Sequence, residues 1–126
     1  MSYQTCLRTV HFLFAFLLLP AVASAGEADV VDVKASCNND LCDFSATVAH
    51  DDQGWDHYAN HWRILDPDGN ELGRRELAHP HENEQPFTRS LGGVEIPLDI
   101  TTVVVETHDS VHEYGGETFS VELNRN

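Results

Sequence analysis

From Val30 onward apolar and polar positions alternate, with Val31, Val33, Ala35 and Cys37 set against Asp32, Lys34 and Ser36. A period of two is that of a strand with one face buried. After a short polar turn the alternation returns more clearly, with Cys42, Phe44, Ala46 and Val48 against Asp43, Ser45 and Thr47. His50 to Asp56 is polar and contains Gly54, so it reads as a loop. A third strand is predicted from about His57 to Asp66, with Tyr58, Trp62 and Ile64 on one face and His57, Ala59, His61, Arg63 and Leu65 on the other. Asp66-Pro67-Asp68-Gly69-Asn70 places proline and glycine where a tight turn needs them. A fourth strand then runs from Glu71 to Ala78, and a proline-bounded loop from His79 to Pro86. Phe87 to Leu91 reads as a short strand broken by Gly92-Gly93, with Val94 to Pro97 as an extended connector. The β-branched run from Thr101 to His108, with Val103 and Val105 inward, has the character of a central strand. Asp109 to Gly116 is a loop, and Phe119, Val121 and Leu123 alternate with polar residues in a last strand.

About seven short strands at regular spacing, without an amphipathic helix, predict an immunoglobulin-like or fibronectin-like antiparallel β-sandwich. Trp62 is the expected core aromatic. The first 25 residues stand apart from this pattern. Arg8, the apolar run Phe12 to Leu19 and then Ala21-Val22-Ala23-Ser24-Ala25 have the layout of a cleaved secretory signal peptide. The apolar run is short for a membrane span. The expected organisation is therefore a signal peptide over residues 1–25 and one domain over residues 26–126, exported to the periplasm or secreted. Cys6 precedes the apolar run and no cysteine stands at the cleavage site, which speaks against a lipid-anchored product.

Charge narrows the partners. The formal net charge is −14, and all 21 acidic residues but only six of the seven basic ones lie beyond residue 25. Such a surface repels nucleic acid and anionic membrane. It is compatible with cation binding, and solvation of an exported protein is the stronger reading. Cys37 and Cys42, flanking a turn in an exported chain, are expected to form a disulfide that clamps a hairpin tip.

Counting strands assigns each connection to one pole of the sandwich. The turns at 38–41 and 67–70 and the 92–97 connector fall at one end, and the loops at 50–57, 79–86 and 109–116 fall at the other. His50, His57, His79, His81, His108 and His112 are thereby gathered at or beside one pole, with His61 lower on its strand. Imidazole is the common side-chain ligand of Zn(II) and Cu(II), and His-x-His or His-x3-His sets two nitrogens side by side. The ligand set this favours is His79, His81, His108 and His112, with His57 next. Carboxylates at Asp51, Asp52, Glu82, Glu84, Asp109 and Glu113 stand by to complete or orient a shell.

The plainer reading of the same residues is structural. His50 and His57 would be bonded to backbone, His61 would be an exposed sheet-face residue, and His79 and His81 would brace a loop. His108 and His112 would border a hairpin loop held by Asp109 and Ser110 side chains. Arg89 is expected to pair with Glu82 or Glu84, and Trp55 to stand partly exposed. A soft Cu(I) or blue-copper site lacks its sulfur ligands, since Met1 is the only methionine and both mature cysteines are expected to be bonded. No Gly-x-Ser-x-Gly, free nucleophilic cysteine or phosphate-cradling glycine loop is present, and nothing selects a catalytic carboxylate pair. The sequence therefore points to a binding domain rather than an enzyme. Its ligand is a divalent metal on one reading, and a protein or small polar ligand contacted through Trp55 and Tyr114 on the other.

The motifs His79-Pro80-His81 with Glu84-Gln85-Pro86-Phe87-Thr88-Arg89-Ser90-Leu91, and His108-Asp109-Ser110-Val111-His112 with Gly115-Gly116, resemble an uncharacterised family of small exported bacterial β-sandwich proteins. The resemblance spans most of residues 55–123. It implies a compact extracytoplasmic β domain and brings no assigned activity.

Overall fold

The computed structural model describes residues 26–125, so the expected signal peptide lies outside the described residues. The chain forms β1 (Asp29–Asn38), β2 (Leu41–Ala49), β3 (Ala59–Leu65), β4 (Glu71–Glu76), β5 (Phe87–Glu95), β6 (Thr102–Asp109) and β7 (Phe119–Glu122). Every pairing is antiparallel. One sheet has the order β1-β2-β5 and the other β4-β3-β6-β7. This is the expected sandwich, with the fourth strand lying on the sheet of β3, β6 and β7.

The alternating residues fill one core between the sheets. Phe44, Val48, Trp62, Ile64, Phe87, Val103 and Val105 are fully or almost fully buried. Trp62 is the largest of them, followed by Phe44 and Phe87. Truncating Trp62 to alanine would remove packing worth about 3–5 kcal/mol. Cys37 and Cys42 are register partners at the end of the β1–β2 hairpin and are joined by the expected disulfide. Asn39 turns this hairpin with φ 54°, a left-handed conformation that asparagine tolerates better than most residues.

Two irregularities depart from the alternation read off the sequence. The pairing of β3 with β6 shifts register between Ala59 and His61, so Ala59 joins Trp62 on the core side and Tyr58 does not. One extra residue in a strand reverses the parity of everything before it. The strand predicted to break at Gly92-Gly93 instead continues to Glu95, through a register shift opposite Asp43. Gly93 takes φ 67° and its N–H donates to Asp43 Oδ1 at 2.8 Å, which lets the bulge form without losing that bond.

The loops at one pole are tied to one another. Ser110 N–H donates to the Tyr58 carbonyl, Leu77 N–H to the Asn60 carbonyl, and His50 N–H to Gln85 Oε1. These bonds tie the 50–58, 77–86 and 110–118 segments to one another and to β3, and His50, His57, His79, His81 and His112 lie in them.

Candidate metal centre

The centre is built from polar residues that occupy core-facing positions. In β2 the inward series runs Cys42, Phe44, Ala46, Val48, and the next two inward positions are His50 and Asp52, both buried. In β6 the inward series is Val103, Val105, Thr107 and then Asp109, which is 0% exposed. The core thus changes from apolar to ionisable as it reaches the pole. His57, from the loop between β2 and β3, closes over these groups; its N–H donates to the Gly54 carbonyl and its own carbonyl accepts from Gln53 N–H. Gly54 takes φ 77°, which a tight loop there requires and a side chain would oppose.

Asp52 fixes the orientation of His50. Its Oδ1 accepts from His50 Nδ1 at 2.5 Å and from Ala59 N–H at 3.0 Å, and its Oδ2 from His81 N–H at 2.6 Å. A neutral imidazole that donates through Nδ1 keeps its lone pair on Nε2. His50 Nε2 lies 3.2 Å from His57 Nε2, which lies 3.2 Å from Asp109 Oδ1. His50, His57 and Asp109 each offer one ligand atom, and these atoms lie within 4.8 Å of one another, a grouping that could hold a metal ion.

Asp109 is held by its own loop. Val111 and His112 N–H donate to its Oδ1 at 2.9 and 2.7 Å, while its backbone N–H and carbonyl bond to those of Glu113. Glu113 takes φ 61° to close this turn, a conformation uncommon for a residue other than glycine or asparagine. Burial alone would raise the Asp109 pKa, but the His112 and Val111 amides and the nearby imidazoles hold it below the usual carboxylate value. The carboxylate is therefore ionised at neutral pH. Its Oδ2 is buried with no hydrogen-bond partner among the described residues. His112 Nδ1 stands 3.3 Å from Asp109 Oδ1, and the His112 ring centroid is 5.1 Å from that of His57.

The remaining histidines fall into two further groups. His81 is 5% exposed and stacks on Phe87 at 3.9 Å and 9°, with His79 beside it at 4.5 Å. Burial, with Arg89 and His79 nearby, lowers the His81 pKa and keeps its ring neutral. His108 and His61 face each other across β6 and β3 on the outer side of their sheet and stack at 4.5 Å. His108 Nδ1 bonds Asn60 Oδ1, and His61 Nε2 bonds the Tyr114 hydroxyl at 2.6 Å. His61 is 7% exposed, unlike the open sheet-face residue expected, because Tyr114 and His108 cover it.

Of the ligand set read from the sequence, His57 and His112 thus converge on Asp109, His79 and His81 form a neighbouring pair, and His108 lies on the opposite face of its strand. His50, Asp52 and Asp109 complete the convergent group. A signal for them was in the chain, since each continues a core-facing series with an ionisable residue. Arg89 pairs with Glu84 at 3.2 Å, and Trp55 is 66% exposed at the same pole, edge-on to Tyr58.

No family model matches the chain, and no solved structure does. A relative is known by sequence. The chain is similar to a protein of Halomicrobium mukohataei described as "Putative lipoprotein", with 46% identity over 97 residues. The match covers 76% of this chain and 47% of that protein, so the chain spans about half the length of the curated relative it matches. Among the described residues no helix is long and apolar enough to cross a membrane.

Proposed function

We propose that the protein is an exported metal-binding module that takes a divalent transition ion, Zn(II) or Cu(II), through His50 Nε2, His57 Nε2 and the Asp109 carboxylate. His112 is within reach as the fourth ligand. The observation that carries this reading is the spacing of the ligand atoms. A tetrahedral ion bound at about 2.0–2.1 Å keeps its ligand atoms about 3.3–3.4 Å apart. His50 Nε2 to His57 Nε2 and His57 Nε2 to Asp109 Oδ1 are both 3.2 Å, and the His50 and Asp109 ligand atoms, within 4.8 Å of each other, would close up on the ion. Asp52 behind His50 is the carboxylate–imidazole arrangement that pins a ligand ring and raises its basicity. Asp109 supplies the negative charge that offsets the ion. Three protein ligands converge here, and recruitment of His112 as a fourth would close the site, as in storage, delivery or sensing rather than catalysis.

Export is supported by the signal-like leader and by the description of the relative. Isothermal titration of chelator-stripped protein tests the reading. Micromolar or tighter uptake of Zn(II) or Cu(II) that His57→Ala reduces at least tenfold is expected; titration curves that His57→Ala leaves unchanged would overturn it. A second reading, contact with a protein or small polar ligand, is favoured by one observation, the exposed Trp55 beside this pole. Trp55→Ala would abolish that contact and leave metal affinity intact.

A further inference from the structure

The His79-Pro80-His81 segment meets the centre above through Asp52 and Gln85; the His79 ring braces the loop through the Pro80 carbonyl, and the His81 ring does not. His81 is 95% buried in side-chain terms or more, with 3% of its side chain exposed, and neither ring nitrogen has a hydrogen-bond partner among the described residues. A buried polar ring left so is costly unless something satisfies it. It lines a cavity of about 330 Å³ together with His79, Pro80, Glu82, Asn83 and Glu84.

We propose a second divalent-cation site in this cavity, formed by His79 Nε2, His81 Nε2 and the Glu82 carboxylate when they close on an ion; the two rings adjoin at 4.5 Å, and the three groups do not converge beforehand as His50, His57 and Asp109 do. The His79 ring is set for it by its other nitrogen. His79 Nδ1 donates to the Pro80 carbonyl at 2.9 Å, which leaves the lone pair on Nε2. His81 Nδ1 faces Asp52 Oδ2 at 3.9 Å, the oxygen that already accepts from its backbone N–H, so a small ring shift lets the same carboxylate orient His81 as its other oxygen orients His50. The choice of carboxylate follows by elimination. Both Glu84 oxygens are engaged by Arg89 at 3.2 Å. Glu82 has no ion pair among the described residues, and its Oε1 lies against Gly54, 3.4 Å from where a Cβ on that residue would stand. Its exposed side chain is free to swing onto an ion held by the two rings, and water would complete the shell. Two imidazoles and one carboxylate select a borderline ion such as Zn(II), Ni(II) or Cu(II) over Ca(II) or Mg(II). Asp52 then stands behind one ligand of each site and couples them.

Metal content after equilibrium dialysis against Zn(II), with calorimetric titration, separates this site from the one proposed above. Wild type is expected to retain two ions per chain. The exposed-residue variant His79→Ala/Glu82→Gln is expected to retain one and to unfold at the wild-type denaturant concentration when metal-free. His57→Ala is expected to lose the other ion and keep the one that His79→Ala/Glu82→Gln removes. Two ions in His79→Ala/Glu82→Gln, or a wild type that binds a single ion which this variant still holds, would overturn the second site. A single ion lost in His79→Ala/Glu82→Gln and kept in His57→Ala would instead uphold it and remove the first.

Discussion

His50 Nε2 and His57 Nε2 face each other at 3.2 Å, and the other nitrogen of His50 is bonded to a fully buried carboxylate, Asp52. The relationship joins two residues from a strand end and a loop, and it sets a lone pair toward a point that Asp109 shares. Whether a proton or a metal ion occupies that point depends on the ion available. In either case the carboxylates on the two sides have unequal duties.

That inequality can be measured. Asp52 receives an N–H on both of its oxygens, whereas Asp109 receives them on Oδ1 and has Oδ2 unpartnered. Asp52→Asn forces an amide NH2 against a donor, while Asp109→Asn has an orientation in which the NH2 meets none. Asp52→Asn is expected to lose at least about 1 kcal/mol more stability than Asp109→Asn in urea unfolding of the metal-free protein. Equal losses would mean that Asp52 is not the anchor of the pole.

Binding should stabilise the fold in proportion to affinity. At a free ion concentration about 100 times the dissociation constant, the gain is about 2.7 kcal/mol for one site. For a domain of this size that corresponds to a rise in Tm of about 10 °C or more. Thermal unfolding with Zn(II), then with excess chelator, is expected to show the rise and its reversal. His57→Ala should show a smaller rise.

The pH dependence has a specific source away from the metal ligands. Burial first, then Arg74, His108 and Arg63, lower the His61 pKa from 6.5 to about 4, with Glu71 opposing. Between those values the unfolded chain takes up a proton that the folded chain refuses. Stability is therefore whole above about pH 6.5 and falls as pH drops toward 4, by at most about 3 kcal/mol from this group. Urea unfolding from pH 7.5 to 4.5 is expected to show the fall, and His61→Phe to lessen it, with His81, whose pKa burial also lowers, supplying a remainder of the same sign. An unchanged slope in His61→Phe would assign the dependence elsewhere.

The disulfide closes a loop with a sequence separation of 5, so its entropic contribution is small, about 2 kcal/mol. Cys37→Ser/Cys42→Ser is expected to lower stability by that amount and to leave metal affinity unchanged, since the bridge lies at the opposite end of β2 from His50. A loss of binding would show that the two poles are coupled.

Much of this architecture could be read from alternation. The inward series of β2 and β6 identifies both strands and most of the core, and counting reversals gathers the histidine-bearing loops at one pole. Two things were hidden. The register shift between Ala59 and His61 and the strand that runs through Gly92 and Gly93 depend on tertiary pairing, which local pattern does not encode. At the site, His-x-His and His-x3-His spacing drew attention to side chains close in sequence. Adjacent strand residues point to opposite faces, so Asp109 turns inward while His108 turns outward. Asp109 is met by His112 of its own loop and, from 52 residues away in the chain, by His57.

The most direct test is anomalous diffraction from crystals of the protein grown with Zn(II). An ion about 2.0–2.1 Å from His50 Nε2, His57 Nε2 and an Asp109 carboxylate oxygen is the expected result. A map in which His50 and His57 stay hydrogen-bonded to each other, with zinc absent from the space between them and Asp109, would contradict it.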